Sequence, residues 1–182
     1  MNQKTISRFA PTPSGPLHLG SLVAALGSYL QAKSQHGQWL LRIEDLDSPR
    51  EVPGAADAIL RTLEAHGLYW DGEVCYQSHQ QQVYQAALDT LAAQGLIYPC
   101  RCSRKILQQQ AQKGPYGLIY PGTCRTASFP LQQPHALRIH TPMKPIHFTD
   151  LRIGPYQQSL QSELGDFVVK RADGLFAYQL AV

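Results

Sequence analysis

An arginine and a histidine set around a stiff turn, and a group of closely spaced cysteines, are the residues of this chain best suited to chemistry. Arg8 and His18 lie in RFAPTPSGPLHLGS (8–21), where Pro11, Pro13, Pro16, Gly15 and Gly20 precede a long apolar helical pattern. A strand that turns through proline and glycine into a helix N-terminus is a good anion site, because unpaired N–H groups and the helix dipole both favour negative charge there. His18 can donate a hydrogen bond to a phosphate oxygen, and the glycines permit close backbone approach. The stretch is neither GxGxxG nor GxxxxGK[ST], so the two commonest phosphate loops are excluded. Taken alone, the same residues also fit a rigid loop carrying a surface histidine.

The second constellation is Cys100-Arg101-Cys102 followed by Tyr120-Pro121-Gly122-Thr123-Cys124. Close spacing in a cytosolic chain favours a metal over disulfides. Zinc takes four ligands in a tetrahedron and prefers thiolates, so Cys100, Cys102 and Cys124 are one ligand short. Tyr120, His135, His140 or a water is open as the fourth, and reduced cysteines in a turn-rich segment are the metal-free alternative. Cys75 reads as a buried or half-buried thiol without a role, and His36, His66, His79 and His147 have no metal spacing.

The elements that must hold these residues follow from periodicity. KTISRFA (4–10) reads as a strand ended by the prolines. Ser21 is the expected cap of a helix whose Leu22, Val23, Leu26, Tyr29 and Leu30 share one face, with Gly37 as its stop. WLLRIED (39–45) reads as a buried strand, which makes a βαβ unit with a parallel, right-handed crossover. Helical patterns at 53–67 and 79–95 each end on glycine. From 97 to 135 the periodicity breaks down around the cysteines. HALRIHT, IHFTDLRIG and DFVVKRADGLFAYQLAV then read as strands, the last with an Ala-Asp-Gly hairpin turn. The domain expectation is therefore residues 1–96 as the first half of an α/β domain, 97–135 as a small insert, and 136–182 as a β-rich continuation. The chain stops inside what reads as a strand, which suggests a fragment of something longer.

With 182 residues, 43% of them hydrophobic, one good core is affordable by size, and a net charge of +3 decides nothing about partners. No apolar run approaches the roughly 18 residues of a membrane span, and no secretory signal pattern opens the chain. A soluble cytoplasmic protein is expected.

RFAPTPSGPLHLGS resembles the "HIGH" signature of class I aminoacyl-tRNA synthetases in the R-F-A-P-[ST]-P-[ST]-G-x-L-H-x-G form of the glutamyl branch. LRIEDLD (41–47) and KRADGLFAYQLAV (170–182) are similar to two further motifs of that branch, in the same order, so the resemblance spans essentially the whole chain. It implies a Rossmann-like catalytic domain that binds ATP with magnesium and glutamate. ATP would meet Pro11, Thr12, Pro13, Ser14, Gly15, His18, Gly20 and Ser21, with His18 and Gly20 at the reacting phosphate. Glutamate would meet Arg8, Phe9, Ala10, Pro11, Thr12, Glu44 and Tyr178, Arg8 pairing with a carboxylate and Glu44 with the ammonium group. The structural alternative is that Arg8 and Glu44 pair with each other and that Tyr178 is a core aromatic. The family's second signature, K-M-S-K-S, and a second glutamate-binding arginine would lie beyond residue 182, so this stretch by itself is expected to activate glutamate poorly.

Two details, the HLGS sequence with its LVAALGSYLQAK continuation and SPREVPGAA (48–56), are similar to a paralogous family built on the catalytic half. That family activates glutamate without needing tRNA and transfers it to the queuosine base in the anticodon of tRNA(Asp). The same likeness implies a zinc site of Cys100, Cys102, Tyr120 and Cys124, and a monomer. The alternatives are part of an ordinary glutamyl-tRNA synthetase, which charges the tRNA 3′ end, and a non-enzymatic zinc and nucleic-acid-binding module.

Overall fold

The computed structural model describes residues 5–46, 50–127 and 132–182. Lys4, Asp47 and the Ser48-Pro49 start of SPREVPGAA lie outside them. The chain forms two compact units, one ending at Gln81 and the other running from Gln82 to Val182.

In the first unit, β1 (Ile6–Phe9), α1 (Leu19–Ser34) and β2 (Gln38–Ile43) make the expected strand-helix-strand order. β1 and β2 are parallel, with Arg8 opposite Leu40. α2 (Ala55–Ala65) then leads to β3 (Cys75–Tyr76), parallel to β2, so the sheet order is β1-β2-β3. β2 alternates half-buried and buried residues, and Trp39, Leu41 and Ile43 are at most 1% exposed. Strand side chains alternate between faces, so these three project together into the core. Trp39 is its centre: its ring stacks on Phe9 at 6.3 Å, meets Tyr29 edge-on at 5.3 Å, and its indole N–H donates to Ser28 Oγ at 2.9 Å. α2 adds Ala55, Ile59 and Leu63 at four-residue spacing.

α1 departs from the expected pattern in two ways. It starts at Leu19 with His18, not Ser21, as its cap. Its buried stripe is Ala25 and Ala32, with Leu22 and Tyr29 packed beside them, whereas Val23, Leu26 and Leu30 are exposed. The apolar residues of α1 encircle the helix, so apolarity alone could not identify the face that small alanines let approach the sheet.

The second unit takes in α3 (Gln81–Ala93) from Gln82 onward, and this helix buries Tyr84 and Leu88. β4 (Ile97–Cys100) enters the turn-rich stretch, where α4 (Arg104–Gln110) and the hairpin β5 (Gln112–Gly114) with β6 (Gly117–Ile119) follow. β7 (Ala136–Ile139) returns to pair antiparallel with β4. IHFTDLRIG forms not one strand but β8 (Ile146–Asp150), a turn, and the start of β9 (Gly154–Gln158). The Asp150 carboxylate accepts from the backbone N–H groups of Arg152 and Ile153 at 2.8 and 2.9 Å, which reverses the chain there. After α5 (Leu160–Glu163), β10 (Val168–Lys170) completes an antiparallel sheet of order β10-β7-β4.

The Ala-Asp-Gly turn is present, with the Gly174 N–H donating to the Arg171 carbonyl at 3.0 Å and Lys170 bridging Phe176. The expected return strand lasts only that far. Ala177 donates to the Val169 carbonyl, and its own carbonyl then receives the N–H of Leu180 and Ala181, so residues Tyr178–Ala181 form a helical turn, α6. Among the described residues no helix is long and apolar enough to cross a membrane.

Candidate functional site

The turn between β1 and α1 is held from below. The backbone N–H of Glu44 donates to the Pro11 carbonyl at 2.9 Å and that of Val52 to the Pro13 carbonyl at 3.0 Å, and Pro11 and Pro13 are buried. Above it lies a cavity of about 600 Å³ whose wall includes Phe9, Ala10, Pro11, Thr12, Ser14, Gly15, His18, Gly20 and Ser21. That volume is within the usual range for a small-molecule site. Of the residues expected at ATP, only Pro13 is missing from this wall; it lines an adjacent cavity of about 410 Å³ with Asp45 and Tyr76.

His18 does two jobs by geometry. Its Nδ1 accepts from the Ser21 backbone N–H at 3.0 Å, the bond a serine hydroxyl would make at a helix N-cap. An accepting Nδ1 carries no proton in a neutral ring, so the cap assigns the N–H to Nε2. The ring is exposed on the cavity wall, where Nε2 lies 3.3 Å from the Ser21 hydroxyl oxygen, and its N–H and that hydroxyl are donors this wall offers an anionic oxygen. Gly20 is explained by the same ring: a Cβ there would sit 3.1 Å from His18 Cε1. A side chain at residue 20 would require the imidazole to give by a few tenths of an ångström.

Arg8, on the strand that leads into the turn, is exposed, while its neighbour Phe9 is buried on the opposite face. Glu44 does not take Arg8 as its partner. Its carboxylate pairs with Arg42 at 2.6 Å, with both side chains only about a tenth exposed. The sequence held a signal for this, since Arg42 and Glu44 are two apart and side chains at i and i+2 share a strand face. Asp45 is structural: it accepts from the Ser78 backbone N–H at 2.8 Å and from its hydroxyl at 2.6 Å. Tyr178 belongs to the second unit, where it opens α6 and is 61% exposed, so it is not a core aromatic.

The cysteine group lies wholly within the second unit. Cys100 ends β4, Cys102 follows it, and Tyr120 and Cys124 come from the loop after β6. The three sulfurs lie within 4.8 Å of one another. Cys102 Sγ is 3.5 Å from Cys124 Sγ, and the Tyr120 hydroxyl is 3.4 Å from Cys100 Sγ and 3.7 Å from Cys102 Sγ. That hydroxyl also accepts from the Cys124 backbone N–H at 2.9 Å. Neither histidine joins the group: His135 Nδ1 is 3.0 Å from the Gln133 carbonyl oxygen, and His140 packs on Tyr98 at 4.5 Å. Burial pushes the Cys102 thiol up to about 11 and, with the Cys100 contact, raises the Tyr120 phenol well above its usual range. Cys124 differs: burial opposes its ionisation, but hydrogen bonds from the Arg101 backbone, Tyr120 and the other two cysteines hold its thiol below the usual range. A soft divalent cation supplies the driving force for ionisation that Cys102 and Tyr120 lack, and three sulfurs with one oxygen suit zinc.

A buried polar network braces this group. Asp166, 1% exposed, accepts from Arg125 Nε and Nη2 at 2.6 and 2.7 Å, from Thr141 N and Oγ1 at 2.9 and 2.8 Å, and from the Tyr98 hydroxyl at 2.6 Å. Burial opposes its charge, but these donors outweigh it and hold the carboxyl far below the usual carboxylate range. Gly165 lets the segment approach, because at φ +69 its Cβ would lie 2.7 Å from the Tyr120 backbone N and O. Gly165→Ala is expected to destabilise the second unit by about 2 kcal/mol or more, from backbone strain and the clash together. Urea denaturation compared with wild type checks this.

Comparisons with known proteins place the chain in a family. A family model described as "tRNA synthetases class I (E and Q), catalytic domain" matches residues 4–182. The Glutamyl-Q tRNA(Asp) synthetase of Ectopseudomonas mendocina is 56% identical over 182 residues, 100% of this chain and 60% of that protein. That of Geobacter sulfurreducens is 53% identical over 180 residues, 97% of this chain and 57% of that protein. A solved glutamate tRNA ligase from Elizabethkingia meningosepticum, in complex with its amino acid, superposes with a TM-score of 0.83 at 28% identity, over 98% of this chain and 41% of that one. The chain spans about three fifths of the length of the curated relatives it matches.

Proposed function

This chain belongs to the catalytic-domain family of class I tRNA synthetases for glutamate and glutamine, and from that premise we propose that the whole protein activates glutamate with ATP and transfers it to queuosine in the anticodon of tRNA(Asp). The observation that carries the proposal is the 53–56% identity, over essentially the whole chain, to proteins named Glutamyl-Q tRNA(Asp) synthetase. The geometry of the turn supports the activation step. ATP, with its magnesium, lies over residues 11–21, where the α1 N-terminus and the Nε2 proton of His18 favour the charge that develops as the glutamate carboxylate attacks the α-phosphorus. Arg8 holds a carboxylate, Glu44 the ammonium group, and the Ala10–Thr12 backbone orients the amino acid.

Residues 97–135 act as the insert, and Cys100, Cys102, Tyr120 and Cys124 hold one structural zinc whose chemistry is to lock this segment in place. The protein works in the cytoplasm as a monomer. The test is glutamate-dependent ATP–pyrophosphate exchange with the whole protein, with and without tRNA, beside an Arg8→Ala control. Exchange without tRNA that the control lowers by about 100-fold or more supports the reading, since Arg8 makes a charge-assisted pair. Exchange seen only with tRNA present favours an ordinary glutamyl-tRNA synthetase, and none under either condition points to the non-enzymatic module.

A further inference from the structure

Arg138 lies on β7, the central strand of the β10-β7-β4 sheet, and is 7% exposed. A buried guanidinium is costly unless something anionic or richly accepting meets it. The obvious counter-ion would be Asp166, but the Asp166 carboxylate is taken by Arg125, Thr141 and Tyr98. Arg138 receives only the neutral Asp166 backbone carbonyl, to which Nη1 donates at 2.5 Å. Its other partners belong to the cysteine group. Nε donates to Cys100 Sγ at 3.2 Å, and the guanidinium carbon lies 3.8 Å from the centre of the Tyr120 ring.

A neutral thiol is a weak acceptor, whereas a metal-bound thiolate carries charge. A cation over the face of a tyrosine is attracted by the ring, and more so when the phenol oxygen is ionised. Three thiolates and a phenolate around one divalent ion leave an excess of negative charge in a buried place, and Arg138 is the cation that meets two of those four ligands. We propose that Arg138 is a positioning residue of the metal group, supplying the counter-charge that lets Cys100 and Tyr120 serve together as ligands. The proposal rests on the zinc reading above and assigns to this arginine a share of the metal affinity.

The test compares wild type with Arg138→Met and Arg138→Lys, all as the whole protein. Methionine fills similar space without charge and strands no buried carboxylate, because Arg138 meets Asp166 only at its backbone carbonyl; lysine restores the cation without the planar fork. Zinc affinity is read by competition with a chelator, cobalt(II) substitution by the thiolate-to-metal absorption in the near ultraviolet, and folding by circular dichroism. Arg138→Met should bind zinc about 10- to 100-fold more weakly and give a reduced thiolate band, the usual scale for losing a group that supports metal ligands. Arg138→Lys should recover much of both.

A folded Arg138→Met protein that holds zinc as tightly as wild type overturns the proposal. So does a Met variant that fails to fold together with Arg138→Gln, because Arg138 would then serve the fold and not the metal. If wild type itself takes up no zinc, and Cys102 and Cys124 are recovered as a disulfide, the zinc reading has failed and this proposal falls with it.

Discussion

Replacing His18 by alanine should lower glutamate-dependent pyrophosphate exchange by the whole protein by about 100- to 1,000-fold, the range for losing one preorganised donor to developing charge. The same change removes the cap of α1, since Nδ1 is the acceptor for the Ser21 N–H, and costs about 1 kcal/mol of stability. His18→Ser separates the two effects. A serine hydroxyl caps a helix as well as any residue, but it is too short to stand in for the imidazole Nε2–H. Thermal unfolding of His18→Ser should therefore sit close to wild type, while its exchange rate falls as far as that of the alanine variant. Equal activity of His18→Ser and wild type would mean that the ring is a cap alone, and the phosphate would have to be held by the turn backbone.

That dual use of His18 also marks where the sequence was and was not informative. The βαβ order came through because WLLRIED is a short apolar run that ends in charge and the prolines stop β1. The helix start did not, because histidine is an unusual cap and Ser21 is a common one; it takes the folded ring, facing its own third residue, to reveal the bond. Near the C-terminus, local signals gave the hairpin turn at Ala172-Asp173-Gly174 correctly. They could not show that the Ala177 carbonyl would turn to accept from Leu180 and Ala181, because the apolar run reads equally as strand or helix over so few residues.

The cysteine group shows the same division between near and far. Its three cysteines could be named from C-x-C and the spacing to Cys124, Tyr120 only from the family resemblance, and the structure brings all four together. The residues that brace them, Arg138 and Asp166, are separated by 28 positions and meet only through β7 and the segment that runs into β10. No local pattern marks either one. A lone aspartate after glycine and before Phe167-Val168-Val169 looks like an ordinary turn residue until the sheet buries it.

Asp166 should consequently be among the least replaceable residues outside the candidate active site. Asp166→Asn keeps the shape but removes the charge that Arg125 grips with two nitrogens, and it sets an amide donor among groups that are themselves donors. A broken buried pair of this kind costs about 3–5 kcal/mol. Urea denaturation of the variant should show a loss in that range. The pH dependence gives the sharper check. Because the folded-state carboxyl is held far below its ordinary range by Arg125, Thr141 and Tyr98, its contribution is complete above the unfolded value near 4 and is lost as pH falls from there through the folded value. The stability gap between wild type and Asp166→Asn should therefore be constant from about pH 7 to 5 and shrink steadily below about pH 4. A gap that stays the same down to pH 2 would mean that the asparagine is harmful for its shape or its amide alone, and that the charge on Asp166 is not what organises the donors around it.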